Sequence, residues 1–241
     1  MKVIICNSYE EMSSTAADII AAQMKEKKNS TLGLATGSTP IGTYDCLVEK
    51  YEKGEIDFSE ITTFNLDEYY PIAPDNDQSY IYFMRKNLFD RVNVKMENVH
   101  IPSGSCADIE KECKEYDLAL EKNGSVDIQI LGIGQNGHIG FNEPSENLVT
   151  GTHPTVLEEG TRIANSRFFA SLDDVPTHAV TMGMASIMSA KKILLLANGK
   201  GKHAAISAMM TDKINTQIPA TLLKLHPDVT VICDKEAYYG E

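Results

Sequence analysis

The sequence predicts an α/β protein built on a mostly parallel sheet. Strand and helix signals alternate along the whole chain. Segments such as VDIQILGI (126–133) and KKILLLA (191–197) are near-continuous apolar runs, the pattern of strands buried on both faces. No low-complexity linker or internal repeat divides the 241 residues, of which 42% are hydrophobic, so one domain spanning residues 1–241 is expected.

The elements follow in order. KVIIC (2–6) is a short apolar strand. Ser8 stands three residues before Glu11, the spacing of a capping box, and opens a helix to about Lys28. TLGLA (31–35) is a second strand, and the segment after Pro40, IGTYDCLVEKYEK, is a helix. ITTFNL (61–66), β-branched and aromatic, is a third strand. A helical apolar pattern covers 77–90, NVHIP (98–102) is a short strand candidate, and 107–123 is an amphipathic helix. Between 144 and 180 the signals are mixed: THPTVL is a strand candidate and TRIANSRFFASL fits no single period. Gly183–Ala190 is helical, KKILLLA a buried strand, GKHAAISAMM (201–210) a helix and VTVIC (229–233) a last strand.

The charge balance excludes several partners. A net charge of −12 opposes nucleic-acid binding and would mildly repel an anionic substrate, so any phosphate site needs local cations and amides of its own. The five cysteines contain no C-x-x-C pair and no His/Cys pair at ligand spacing, so neither a disulfide framework nor a zinc site is expected. The cysteine usage reads as cytosolic. MKVIIC is too short for a signal peptide, and no apolar run reaches membrane-span length.

In open α/β sheets ligands bind beyond the carboxyl ends of the strands. Four segments stand there. ATGSTP (35–40) offers small residues: Ser38 or Thr39 can cap the next helix with Pro40 at its first position, and free amides there suit a phosphate. The alternative is an ordinary capped turn. NLDEYYP (65–71) places Asp67 and Glu68 together; one could act as a general base if burial raises its pKa, and the alternative is a solvated turn. LGIGQNGHIGFNEP (131–144) spells G-x-G-x-x-G at Gly132, Gly134 and Gly137, but Asn142 and Pro144 break the helix that a dinucleotide site requires. What remains is a glycine loop presenting Asn136, His138 and Glu143, an imidazole beside a carboxylate. ANGKGKHA (197–204) sets Lys200 and Lys202 at a helix start, where cations oppose the helix dipole unless an anion lies between; Arg162 and Arg167 are further candidates for that anion. Jointly these loops suggest acid/base chemistry on a phosphorylated small molecule, without metal or cofactor.

GLATGSTPIGTY, FNLDEYY, LGIGQNGHIGFNEP, TRIANSRFF, VPTHAVTMG and LKLHPDVTVICD run in this order from about residue 32 to 234. In these segments the chain resembles the glucosamine-6-phosphate deaminases. The resemblance implies a Rossmann-like, open, mostly parallel sheet with helices on both faces. It also implies isomerisation coupled to deamination, glucosamine 6-phosphate and water giving fructose 6-phosphate and ammonia. By motif, Asp67 would move the C2 proton toward C1, and His138 would promote ring opening. Glu143 would tune His138 and Asn136 would help position it. Thr36, Gly37, Ser38, Thr39, Arg167 and Lys202 would meet the phosphate. Some members carry Asp where this chain has Asn136, which supplies no charge. Allosterically regulated members carry basic residues shortly after FNEP; SENLVTGTHPTVL here has none, so no activation by N-acetylglucosamine 6-phosphate is expected. A 6-phosphogluconolactonase-like hydrolase and a sugar-phosphate sensor are the alternatives, and HIGFNEP favours the deaminase.

Overall fold

The computed structural model describes residues 1–241, the side chain of Phe168 excepted. In chain order the elements are β1 (Lys2–Cys6), α1 (Tyr9–Glu26), β2 (Thr31–Leu34), α2 (Ile41–Glu52), β3 (Thr62–Asn65), β4 (Asp67–Tyr70), α3 (Tyr80–Asn87), β5 (Val99–His100), α4 (Ile109–Asn123), β6 (Ile128–Leu131), β7 (His153–Val156), α5 (Glu159–Asn165), β8 (His178–Thr181), α6 (Met184–Met188), β9 (Ile193–Ala197), α7 (His203–Met209), β10 (Val229–Asp234) and α8 (Lys235–Tyr239), with short 3₁₀ turns between.

Seven strands form one sheet in the order β1-β10-β9-β6-β2-β3-β5, and every neighbouring pair in it is parallel. From β2 the chain steps outward to β3 and β5, then returns to β6 and continues the other way through β9 to β10. Right-handed crossovers in opposite directions put their helices on opposite faces. The reversal lies between β2 and β6, the place where an open sheet gathers a ligand site.

Local chemistry explains the elements. In α1, Met12, Ala16, Ile20 and Met24 recur every fourth residue and are buried. Its cap is as expected: Ser8 Oγ accepts the Glu11 amide at 3.2 Å, and Glu11 Oε2 reaches back to the Asn7 amide at 2.6 Å. Helix α2 differs from expectation. Pro40 is its cap residue, with no side-chain cap bond. The Gly42 amide goes to the Tyr9 hydroxyl at 2.8 Å, while the Thr39 hydroxyl donates to Asn198 Oδ1 at 2.7 Å. A partner distant in sequence thus replaces the local cap.

A second sheet, β4-β8-β7, is antiparallel; of its strands the sequence offered only β7, as THPTVL. NLDEYYP was read as a loop, yet Asp67–Tyr70 is a strand. Its first three residues are all buried, so no alternation of polar and apolar residues marks it. Among the described residues no helix is long and apolar enough to cross a membrane.

At the opposite end of the main sheet from the four loops, buried Asp127 accepts from Lys27 Nζ at 2.6 Å, Lys191 Nζ at 2.8 Å and the Thr31 amide at 2.8 Å. Burial alone would raise its pKa; the two ammonium groups and the amide outweigh it and hold the carboxyl below its usual range. Both lysines can rotate into water, so Asp127→Ala is expected to cost about 2 kcal/mol, mainly the unpaired Thr31 amide. Because the folded pKa is depressed, the contribution is present above about pH 4, the unfolded value, and lost as pH falls through the folded value. Urea denaturation of wild type and Asp127→Ala should therefore differ more at pH 7 than in acid, where only the neutral acceptor for the Thr31 amide remains, with activity retained.

Candidate active site

β9, β6, β2 and β3 lie side by side, so the segments that follow them gather at one end of the sheet. Asp67 opens β4 directly beyond β3. In the second sheet it stands opposite Thr181 of β8, which in turn stands opposite His153 of β7. Asp67 is buried, at 6% exposure, and among the described residues no group donates a hydrogen bond to its carboxylate. Burial, and then the adjacent Glu68 charge, push its pKa up to about 8.

Glu68, its neighbour, is fully engaged. Its carboxylate accepts from the amides of Tyr69 (2.9 Å), Tyr80 (2.9 Å) and Ile81 (3.1 Å), closing the N-terminus of α3 beside the Ser79 cap. Burial lifts its pKa to about 7 against the pull of these amides. The sequence left the two acids undivided; the fold spends Glu68 on a helix end and leaves Asp67 without a partner.

The glycine loop after β6 does not lead into a helix. Gly137, at φ +85°, turns into a tight stretch closed by an Ile139–Asn142 bridge. His138 Nδ1 lies 3.1 Å from Glu143 Oε2, which also accepts from Asn136 Nδ2 at 2.8 Å. The His138 amide donates to Asn136 Oδ1 at 3.1 Å. Burial would raise the Glu143 pKa, but the hydrogen bond and charge of His138, with bonds from Thr161 and Asn136, hold it below its usual range. An ionised carboxylate only accepts, so Nδ1 carries the proton and Nε2 is left for a substrate. A side chain at Gly134 would sit 2.5 Å from the imidazole, so the glycine makes room for the ring. Gly140, in the same loop, brings its backbone against Asp67: a Cβ there would lie 3.3 Å from Asp67 Oδ2 and 3.0 Å from Thr181 Oγ1.

The two remaining loops meet through the Thr39–Asn198 bond. Among the described residues no group accepts from the amides of Thr36, Gly37, Ser38 or Thr39, and Gly37 takes φ +93°. Lys202 is held by Ile133 O at 2.6 Å; burial and then nearby Arg167 push its pKa down. Open backbone amides and neighbouring cations are the kinds of group that an anion site requires. Arg162 does not join them: its guanidinium donates to Leu172 O (3.0 Å) and Val175 O (3.1 Å) within the 158–176 segment. Sequence reading overlooked Asp234, which accepts the Gly199 amide at 2.9 Å and fixes that turn, and Thr161, which donates to Glu143 Oε1 at 2.5 Å. A cavity of about 540 Å³ between residues 71–78 and 169–176 touches none of these groups and holds no cluster of reactive side chains.

The family model for glucosamine-6-phosphate isomerases/6-phosphogluconolactonase matches residues 7–232. A protein of Thermoanaerobacter pseudethanolicus named glucosamine-6-phosphate deaminase is 58% identical, the match covering 98% of this chain and 94% of that one. A Halothermothrix orenii protein of the same name is 53% identical over 98% of each. A solved structure described as a monomeric glucosamine-6-phosphate deaminase of the NagB superfamily is 46% identical, with TM-score 0.96 over 98% of each chain. A 6-phosphogluconolactonase from Thermotoga maritima, 23% identical with TM-score 0.76, shares the fold.

For a carboxyl group with a raised folded pKa the linkage reverses. Between the unfolded value near 4 and the folded value near 8 the folded state holds more protons, so stability falls as pH rises. Asp67→Asn should therefore be more resistant to urea than wild type at pH 8, with the difference shrinking toward pH 4. A wild-type advantage at pH 8 would contradict the burial of an unpartnered carboxylate.

Proposed function

The chain belongs to the family of glucosamine-6-phosphate isomerases and 6-phosphogluconolactonases, and from that premise we propose that it converts glucosamine 6-phosphate and water to fructose 6-phosphate and ammonia. The observation that carries the reading is the division of labour at the strand ends: a buried carboxylate without a partner, Asp67, beside a loop that aims a carboxylate-oriented imidazole, His138. Identities of 50–58% to proteins named for this reaction support it.

In this reading the phosphate rests on the amides of Thr36, Gly37, Ser38 and Thr39, with Arg167 and Lys202 supplying positive charge within an acidic protein. His138, held by Glu143 and Asn136, exchanges a proton with the ring oxygen as the pyranose opens. Asp67 takes the proton from C2 and returns it to C1 while the ammonium gives up one proton to O1, leaving a protonated imine at C2 and a hydroxyl on C1. Water adds there and ammonia leaves. Asp67 must be ionised to start. The substrate's ammonium sits on C2 itself, so binding brings a positive charge next to the carboxylate and favours its charged form. The empty-site pKa near 8 is then a resting value that the substrate lowers.

The 6-phosphogluconolactonases of similar fold are 17–23% identical to this chain and speak to architecture alone. Ammonia release from glucosamine 6-phosphate, against hydrolysis of 6-phosphogluconolactone, separates the two activities directly. Asp67→Asn should lower kcat by about 10²–10⁴-fold and abolish exchange of the C2 proton with solvent while substrate still binds. Lys202→Ala should instead raise KM by about tenfold or more, the loss expected for a charge-assisted hydrogen bond. Normal turnover and exchange in Asp67→Asn would remove it as the base. With His153 and Thr155 where regulated relatives are basic, rate curves should be hyperbolic and indifferent to N-acetylglucosamine 6-phosphate.

A further inference from the structure

The acid/base pair has a contact from outside its own loop. Glu143 Oε2 is shared by His138 and Asn136, while Oε1 accepts the hydroxyl of Thr161 at 2.5 Å. Thr161 belongs to α5, and both it and Glu143 are buried at 8% exposure. The final torsion of a glutamate side chain is broad and roughly two-fold, so bonds to Oε2 alone leave the carboxylate plane poorly defined. A donor fixed on Oε1 removes that freedom.

We propose that Thr161 is a positioning residue for the acid/base pair: its hydroxyl, presented by α5, holds Glu143 Oε1 and so turns Oε2 toward His138 and Asn136. The segment that carries it is tied to the rest of the site. Asn165, one turn on and on the same helix face, donates to the Tyr69 hydroxyl at 2.9 Å, two residues from Asp67. Phe169 packs edge-on against Tyr69, with ring centroids 5.7 Å apart. Arg167, in the next turn, acts on Lys202. A short stretch from Thr161 to Phe169 therefore touches the imidazole's partner, the strand of the base and the phosphate cations. Arg162 faces away and fixes the segment to itself through the carbonyls of Leu172 and Val175. The titratable group whose charge acts on Glu143 is His138; Thr161 and Asn136 are its neutral partners.

The inference rests on the proposed function for its kinetic arm and has a second arm that needs no substrate. Thr161→Val keeps the shape and removes the hydroxyl; Thr161→Ser keeps the hydroxyl. Thr161→Val is expected to lower kcat by about tenfold or more with KM for glucosamine 6-phosphate within about two-fold of wild type, and Thr161→Ser to restore most of it. In the free protein the carboxyl carbon of Glu143, followed by NMR, should titrate at higher pH in Thr161→Val than in wild type or Thr161→Ser. An unchanged Glu143 titration in Thr161→Val overturns the proposal whatever the kinetics. So does a variant whose KM rises while kcat is kept, since that would make Thr161 an anchor for α5 alone. A wild-type protein that binds the phosphosugar but releases no ammonia would sink the proposed function, and the carboxyl titrations would still decide the role of Thr161.

Discussion

The site depends on how far β2 and β6 remain paired. Their ladder holds only two pairs, Leu32 with Ile128 and Gly33 with Gln129. Beyond it β2 continues alongside β3 to Leu34 and Asn65, and β6 continues alongside β9 to Leu131 and Leu195. The two central strands therefore separate just before their carboxyl ends, and the glycine loop and the amide loop leave from the two sides of that gap. Gly33 makes room for the Gln129 side chain at the last pair. A Cβ there would overlap the Gln129 side-chain amide, which instead turns to the Ile130 carbonyl at 3.0 Å. A larger residue at position 33 would displace the Gln129 side chain from that place. The fold's one reversal of strand order is thus also the place where its chemistry is set.

Around that gap, charge is assigned by local structure against the sign of the whole molecule. A protein carrying −12 attracts no anion at long range. The proposed phosphate site is consequently made of groups that act only at contact: the open backbone amides of residues 36–39, half-buried Lys202 and exposed Arg167. Burial, and then the charge of Arg167, lowers the Lys202 pKa, and an incoming dianion would offset both. The same logic runs in reverse at Asp67, where burial beside Glu68 creates a demand for positive charge that an amino sugar can meet. In the proposed reading, each half of the site is biased electrostatically in the direction that its part of the substrate would relieve.

How much of this the sequence disclosed follows from the range of the interactions. The parallel sheet was legible because strands such as ILLLA and IQIL are buried on both faces and therefore apolar throughout. The loop residues Asp67, Asn136, His138, Glu143 and Lys202 were legible because they follow such strands. The second sheet, β7 apart, was not. Asp67–Tyr70 buries charged and aromatic residues alike, and its partners lie over a hundred residues away at Ala179 and Thr181. Nor did TRIANSRFF disclose its use. Its arginines drew attention, but Arg162 serves only its own segment, while the neutral Thr161 reaches Glu143. Nothing in the local sequence marks the Thr161 hydroxyl; only the tertiary fold gives it a carboxylate.

The apolar packing divides along the same line. One large core joins the main sheet to α1, α2 and the outer helices, and it contains Ile133 and Ile139, which seat the two ends of the glycine loop. A separate small cluster of Tyr69, Ile72, Phe141, Leu157 and Ala179 lies under the second sheet, with Tyr80 and Phe169 packed on it. The imidazole and the amide loop are therefore held by the part of the molecule with the greater buried area, while the base strand and α5 rest on a handful of side chains. Regions with few buried apolar contacts open at lower free energy than the global fold. The polar tie from Thr161 joins this lightly held side to the glycine loop at Glu143, while that from Asn165 joins α5 to Tyr69 of the neighbouring strand within it.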